Sequence, residues 1–252
     1  MRPEIHFAGL SVKTFGVMFA LAFLACGLVI ARRFRELGKP VDWAYEIVFA
    51  ALAGGLIGSR LYWIAQNYDD AKDDLLGSLF SGSGLVWYGG AIGGAIAVVL
   101  WARYRDFLSV RLLDLCAVPL AAGYAIGRVG CQISGDGDYG KAWDGPWAMA
   151  YPDGAVPTDV PVHPTPIYET LAMGLVAWAL WRARDALRPG QLFACYLVLA
   201  GAERFLVEFL RRNEDVALGL TAAQLESLAM LLAGLVWLAV SRRRAPRPAA
   251  AR

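Results

Sequence analysis

The chain is poor in charge, in histidine and in cysteine. Asp, Glu, Lys and Arg make up only 18% of its 252 residues, where an ordinary soluble domain carries about 25%. Hydrophobic residues reach 58%, above the roughly 45–50% of soluble domains. These two departures exclude an ordinary soluble domain, and the apolar content also excludes a disordered chain. The histidines are only His6 and His163, which leaves no ligand cluster for a metal. Of the four cysteines, Cys26, Cys116 and Cys195 lie in apolar runs, which excludes a disulfide scaffold. No metal, no cofactor and no nucleic-acid partner is expected. The net charge of +2 matters less than where the charges lie.

What the sequence does have is long apolar runs. A membrane-spanning helix needs about 20 mostly apolar residues. Seven stretches qualify as candidates: 15–31 (extended upstream by Leu10 and Val12), 46–66, 82–102, 112–129, 166–181, 190–210 and 218–240. Basic residues fall in alternate connections. Arg32, Arg33, Arg35 and Lys39 follow the first run; Arg103, Arg105 and Arg111 the third; Arg182, Arg184 and Arg188 the fifth. Arg242, Arg243, Arg244, Arg247 and Arg252 close the chain. These segments hold fifteen of the 24 Lys and Arg residues. The stretch 67–81 between them is acidic, with Asp69, Asp70, Asp73 and Asp74. The positive-inside rule then places the N-terminus outside and the C-terminus in the cytoplasm. Ala25-Cys26 loosely resembles a lipoprotein cleavage site, but the basic cluster follows the apolar run instead of preceding it, as in an N-out span.

The expected architecture is therefore all-α: one integral membrane domain over 1–252 with about seven transmembrane helices. An external cap over 131–165, between spans four and five, belongs to the same domain. That segment is rich in Gly, Pro, Asp and Trp. Connections of this length are usually functional or disordered. Trp143, Trp147, Met149 and Tyr151 favour an ordered cap near the headgroups. Glycines at 54, 55 and 58, and again at 89, 90, 93 and 94, predict close packing of helices through small residues.

Charges inside apolar spans are costly and mark function. At 1.5 Å of rise per residue, Arg60, Arg128 and Arg204 lie roughly 21, 24 and 22 Å from the inner face. Three guanidinium groups on three helices thus reach one height in the outer half of the bilayer. Tyr88 starts the inward third span at that level, and His163 and Tyr168 lead into the fifth. Arg204 and Glu208 are four residues apart, the spacing of a helical ion pair. Planar guanidinium groups suit phosphate oxygens, and an anion at that depth is most naturally a phospholipid headgroup.

At these positions the sequence resembles the prolipoprotein diacylglyceryl transferase family. Gly127-Arg128-Val129-Gly130 followed by Ser134-Gly135-Asp136 is similar to the family signature. His163-Pro164-Thr165-Pro166-Ile167-Tyr168-Glu169 and the stretch from Arg204-Phe205 through Glu208 to Arg211 resemble two further family motifs. The glycine stretches Gly55–Tyr62 and Gly89–Gly93 resemble two more, and Asp114 and Gln224 fall on family positions. The resemblance runs from Phe15 to about Gly234, with the motifs in the family's order.

The resemblance implies transfer of the diacylglyceryl group of phosphatidylglycerol to the lipobox cysteine of prolipoproteins. A thioether forms and glycerol 1-phosphate is released. It implies catalytic roles among Arg128, Arg204, Asp136, Glu208, His163 and Tyr88. It implies lipid binding by Arg60, Arg128, Arg204, Cys131, Tyr168, Gly89 and Gly90. The expected partners are phosphatidylglycerol, prolipoprotein signal peptides and the bilayer, in the cytoplasmic (inner) membrane of a bacterium. The chain departs from the family pattern at Tyr88 (usually His), Phe15 (Tyr), Cys131 (Asn), Asp136 (Glu) and Ala200 (Tyr). Tyrosine, with a pKa near 10, is a poor base at neutral pH, so Asp136, Glu208 and His163 are the candidate proton acceptors. Two alternatives stay open: a related membrane enzyme with another acceptor or lipid, and a non-catalytic phospholipid-binding or transport protein.

Overall fold

A computed structural model describes residues 3–7, 10–72, 74, 77 and 86–243. The chain is mostly helical. After a hairpin of β1 (Glu4–Phe7) and β2 (Leu10–Lys13) come α1 (Thr14–Glu36), α2 (Asp42–Gln66), the single turn α3 (Tyr68–Ala71), α4 (Trp87–Tyr104) and α5 (Val110–Ser134). Strands β3 (Met149–Tyr151) and β4 (Thr158–Val162) form a second hairpin. Helices α6 (Thr165–Ala183) and α7 (Gln191–Glu208) follow, then a third hairpin of β5 (Asp215–Ala217) and β6 (Leu220–Thr221), and finally α8 (Ala222–Arg243).

Among the described residues, four helices are long and apolar enough to cross a membrane: α1, α2, α5 and α8 over Ala222–Ser241. The other three expected spans also form helices, α4, α6 and α7 of 18, 19 and 18 residues, but these are not among the helices long and apolar enough to cross. They leave Ile96, Leu100, Leu171, Leu175 and Leu206 exposed.

Several expected boundaries shift. Leu10 and Val12 do not extend the first helix; they pair with Phe7 and Ile5 across a hairpin, and the helix starts at Thr14. The fourth run continues as helix to Ser134, so Cys131 lies on α5 instead of in the connection. Residues 215–221 form a hairpin before the last helix, which starts at Ala222 instead of 218. Three two-stranded ribbons thus qualify the all-α expectation. Residues 82–85 of the third run, Asp73, and Arg244, Arg247 and Arg252 lie outside the described residues.

The chain divides into two compact units, one of residues 1–26 and 113–252 and the other of residues 27–112. In the smaller unit, α2 packs on α4 through glycine. A Cβ on Gly54 or Gly58 would run into the backbone of Gly93 or Gly89, and one on Gly89 or Gly93 into that of Gly58 or Gly54. Only hydrogen at those positions lets the two helices approach so closely. One end of this unit is closed by Phe34, Trp43, Trp101 and Phe107, with mutual ring distances of 5.7–6.5 Å. Beside them Glu46 accepts hydrogen bonds from Trp101 Nε1 and Arg105 Nε, both at 2.8 Å.

In the larger unit, helix ends are satisfied by side chains distant in sequence. Asp114 of α5 accepts from Gly190 N at 2.6 Å and Phe193 N at 2.9 Å, capping the start of α7, whose first turn has no acidic residue of its own. Thr221 and Gln224 form a reciprocal capping box at the start of α8: Thr221 N donates to Gln224 Oε1 at 3.1 Å and Gln224 N to Thr221 Oγ1 at 3.2 Å. The family positions Asp114 and Gln224 are thus helix caps. Helices α7 and α8 cross closely at Gly201 and Gly234, where a Cβ would lie 2.7 Å from Ser227 O and Ala194 O.

The segment between α5 and α6 is ordered around β3 and β4. Tyr139 and Tyr151 stack at 4.7 Å and are buried with Val162. Tyr151 donates to Gln132 Oε1 at 3.0 Å, tying the segment to α5.

Candidate active site

The larger unit holds a cluster of three guanidinium groups and three carboxylates. At its centre is Glu169, fully buried on the first turns of α6. Arg128 of α5 brings Nε to 2.7 Å from Glu169 Oε2, an ion pair outside hydrogen-bond angles. Arg204 of α7 donates from Nη1 to Glu169 Oε1 at 3.1 Å. Arg211, just past α7, places Nη1 3.6 Å from that oxygen. Tyr124, one turn before Arg128, donates to Glu169 Oε1 at 3.3 Å and accepts from Arg128 Nη2 at 3.1 Å. A lone buried carboxylate would cost several kcal/mol; here it is ringed by cations and a hydroxyl.

The other two carboxylates stand around this centre. Glu208, also buried, takes Arg204 Nη2 on Oε2 at 2.9 Å, as the four-residue spacing predicts. Its Oε1 accepts from Asn213 Nδ2 at 2.6 Å and Thr221 Oγ1 at 2.8 Å. Asp138 pairs with Arg128 Nη1 and with Arg211, which donates from Nη2 to Oδ1 at 2.5 Å and from Nη1 to the Asp138 carbonyl at 3.0 Å. That carbonyl also accepts from Thr165 Oγ1 at 2.7 Å. Burial raises the Asp138 carboxyl, but Arg128 and Arg211 together outweigh it and hold the group below the ordinary carboxylate range.

The structure therefore brings together Arg128, Arg204 and Glu208 from the expected set. It adds Glu169, Arg211, Asp138 and Tyr124. Cys131 is buried one turn beyond Arg128, whose Nη1 is 3.7 Å from its sulfur. Asp136, a candidate proton acceptor, accepts from Asp138 N at 3.3 Å, and Asp138 is the carboxylate that pairs with Arg128. Gly135 and Gly137, at φ +59° and +95°, turn the chain so that the second aspartate points inward. Oxygens of Asp136 and Asp138 lie within 4.8 Å of the Cys131 sulfur.

His163 and Tyr168 form a separate aromatic group. His163 stacks on Trp143 at 4.3 Å, and its Nδ1 lies 3.4 Å from Tyr168 Oη, which accepts from Trp147 Nε1 at 2.7 Å. Arg60, Tyr88, Gly89 and Gly90 belong to the smaller unit. Arg60 is buried on α2 with its guanidinium over the Trp63 ring at 5.0 Å. Tyr88 opens α4, half-exposed, with its ring 6.5 Å from Tyr62. Gly89 meets Gly58, and a Cβ on Gly90 would lie 3.5 Å from Gly55 O, so both glycines serve helix packing.

One signal in the sequence pointed to Arg211: residues 204, 208 and 211 recur at four and three positions, one face of a helix. Nothing of that kind marked Asp138, which depends on two glycine turns.

Residues 3–240 match the family model described as prolipoprotein diacylglyceryl transferase. The chain belongs to the prolipoprotein diacylglyceryl transferase family. It is 31% identical over 251 residues to a phosphatidylglycerol–prolipoprotein diacylglyceryl transferase of Clostridium tetani, covering 97% of this chain and 99% of that protein. It is 33% identical to a protein of that name from Dehalococcoides mccartyi, covering 88% and 86%. A Bordetella avium protein of that name is 32% identical, covering 94% and 93%. In this family member the signature segment supplies Arg128 and ends in the turn that delivers Asp138. The His163–Glu169 segment supplies the central carboxylate, and the segment from Arg204 supplies two more arginines.

Proposed function

We infer that this chain transfers the diacylglyceryl group of phosphatidylglycerol to the lipobox cysteine of prolipoproteins, releasing glycerol 1-phosphate. The observation that carries this reading is a family match over almost the whole chain, in which arginines from two signature segments meet on one buried carboxylate. In the reaction a sulfur–carbon bond forms at the lipid glycerol as the carbon–oxygen bond to phosphate breaks. The bonding pair leaves on the phosphate oxygen, and the thiol proton passes to a base. Cations near that oxygen act most strongly as charge develops there.

The ion-paired cluster sets three arginines against three carboxylates, and Glu203 of α7 lies within electrostatic reach of the same arginines, so an entering phosphodiester must displace a carboxylate or leave excess negative charge. Glu169 and Glu208 have fully buried side chains, whereas Asp138 is 34% exposed. We propose that the lipid phosphodiester takes the place of Asp138 on Arg128, with Arg204 as the second cation. A free thiol, with a pKa of about 8.5, needs a base or a strongly positive field to react. Asp138 is held ionised by two arginines and is a poor proton acceptor. We assign the proton to Asp136, with Glu208 positioning Arg204, and place Cys131 against the bound lipid. We propose that His163 and Tyr168 position the external segment. For Arg60, Gly89 and Gly90 we propose lipid binding, and for Tyr88 a catalytic contact, on their motifs alone.

We further propose that α4, α6 and α7 also span the membrane, giving seven spans in one integral membrane domain. Residues 131–165 then form the external cap, with the N-terminus outside and the C-terminus in the cytoplasm of a bacterial inner membrane. The alternating basic connections support this orientation. Incubating the purified protein with phosphatidylglycerol and a lipobox peptide tests the reading. Mass spectrometry is expected to find a diacylglyceryl adduct on the peptide cysteine, and its absence where another family member works would overturn it. The substitutions at Tyr88 and Cys131 favour a second reading, the same lipid donor with a different acceptor. Adducts on hydroxyl or amine acceptors but not on the lipobox thiol would select it.

A further inference from the structure

A second feature lies on the outer side of the arginine cluster. A pocket of about 360 Å³ is lined by Gly137, Asp138, Tyr139, Arg211, Arg212 and Asn213. Asp138 and Arg211 belong to both the cluster and the pocket, so the two are joined by shared side chains. Arg211 is nine-tenths buried, and its Nε has no hydrogen-bond partner, the nearest carboxylate oxygen being Glu208 Oε2 at 3.6 Å. Arg212 is exposed and lies with its guanidinium 4.3 Å from the ring of the buried Tyr139. Among the described residues it makes one long hydrogen bond, from Nη2 to Gly137 O at 3.4 Å, and no carboxylate pairs with it. A guanidinium has five donors, so most of this one's are unused.

The lining carries two cations and one carboxylate, and that carboxylate is already paired with Arg128 and Arg211. Arg211 is matched by Asp138, Glu169 and Glu208 of the cluster, so Arg212 is the lining cation that no carboxylate offsets among the described residues. The pocket has no aliphatic lining side chain to receive acyl chains. Its volume is at the low end of small-molecule sites, about 300–1,000 Å³, enough for a three-carbon phosphate ester and water. A phosphomonoester dianion fits these properties; a diacyl lipid does not.

We propose that this pocket is a water-side site for a small phosphomonoester, with Arg212 as its outer cation and Arg211 as its inner one. Naming glycerol 1-phosphate as the ligand rests on the transferase reading above. The pocket receives the leaving group after the carbon–oxygen bond breaks and passes it outward. Arg211 hands the phosphate from the cluster to Arg212, which Tyr139 holds at the rim.

The test uses the full-length protein in micelles free of phosphatidylglycerol, titrated with glycerol 1-phosphate and, separately, with inorganic phosphate. Arg212→Gln is expected to weaken both at least tenfold, while Arg212→Lys loses only a few-fold. Lys141, whose Nζ donates to Phe209 O at 2.9 Å, does not line the pocket; Lys141→Gln removes an equal charge nearby and is expected to stay within twofold of the parent. Binding of phosphatidylglycerol vesicles is expected to change less than twofold in Arg212→Gln. Equal losses in Arg212→Gln and Lys141→Gln would mean a general positive field and overturn the site. A tenfold loss of vesicle binding would assign the pocket to the lipid headgroup and overturn it too, as would a parent protein that binds neither phosphate. The adduct assay is run on the same preparation. If it fails while phosphate binding depends on Arg212, the pocket stands and the transferase reading falls. If adduct forms and Arg212→Gln binds like the parent, the pocket assignment falls alone.

Discussion

Arg128 Nε lies 2.7 Å from Oε2 of Glu169, a carboxylate with no solvent exposure. This pair joins α5 to α6, and because Arg204 shares the same carboxylate, it joins both to α7. Among the described residues, Glu169 is the acidic group that forms ion pairs with all three arginines of the cluster.

Removing that carboxylate leaves three guanidinium groups with only Asp138 and Glu208 to offset them in a buried site. Breaking a buried ion pair by deleting one partner costs about 3–5 kcal/mol. Glu169→Gln is expected to lower unfolding stability in detergent by ~3 kcal/mol, because the amide keeps the shape but not the charge. Thermal or denaturant unfolding measures this, and a change under ~0.5 kcal/mol would contradict the central place given to Glu169.

Arg204 donates from Nη1 to the buried Glu169 and forms an ion pair from Nη2 with the buried Glu208. Lysine keeps the charge but not the fork. Arg204→Lys is expected to slow adduct formation roughly 100-fold, the scale of losing one preorganised donor. Secondary structure by circular dichroism should be retained. Adduct formation within threefold of the parent rate would exclude a role for the planar guanidinium.

Much of this fold was legible because apolar runs and alternating basic loops are strong, long-range signals. Arg128 and Arg204 stood out as charges within apolar stretches, whereas Glu169 showed as the last residue of a family motif. What the sequence hid has local causes. The hairpins over 4–13 and 215–221 are too short and mixed for a clear alternation. Asp136 and Asp138 are two residues apart, and only the positive φ of Gly135 and Gly137 decides which of them meets Arg128. Cys131 read as loop because the apolar run ends at Val129, whereas backbone hydrogen bonds carry the helix to Ser134.

Asp138 gives a pH signature. Its folded carboxyl lies below the ordinary range, so it stabilises the fold fully above the unfolded value near 3.9. That contribution is lost as pH falls through the folded value. Hydrogen-exchange protection of residues 135–141 is expected to be constant from about pH 8 to pH 5 and to fall only below about pH 4. In Asp138→Asn the protection should be reduced across the whole range. Loss of protection in the parent between pH 7 and pH 5 would contradict this pairing.

The glycines of the smaller unit make a packing prediction. Gly89→Ala places a methyl against Gly58 and Tyr62, whereas Gly174→Ala meets nothing within 4 Å. Overpacking costs about 1–3 kcal/mol, so Gly89→Ala is expected to lower stability by ~1–3 kcal/mol. Gly174→Ala is expected to be neutral or slightly stabilising, since alanine favours helix over glycine. Equal unfolding midpoints for the two variants would refute the close approach of α2 and α4.

The most direct test pairs Arg128→Ala with the lipobox-peptide assay. The parent protein, phosphatidylglycerol and the peptide are expected to yield the diacylglyceryl-cysteine adduct with matching release of glycerol 1-phosphate, and folded Arg128→Ala to yield neither above background. A folded Arg128→Ala protein that forms the adduct at the parent rate would contradict the account.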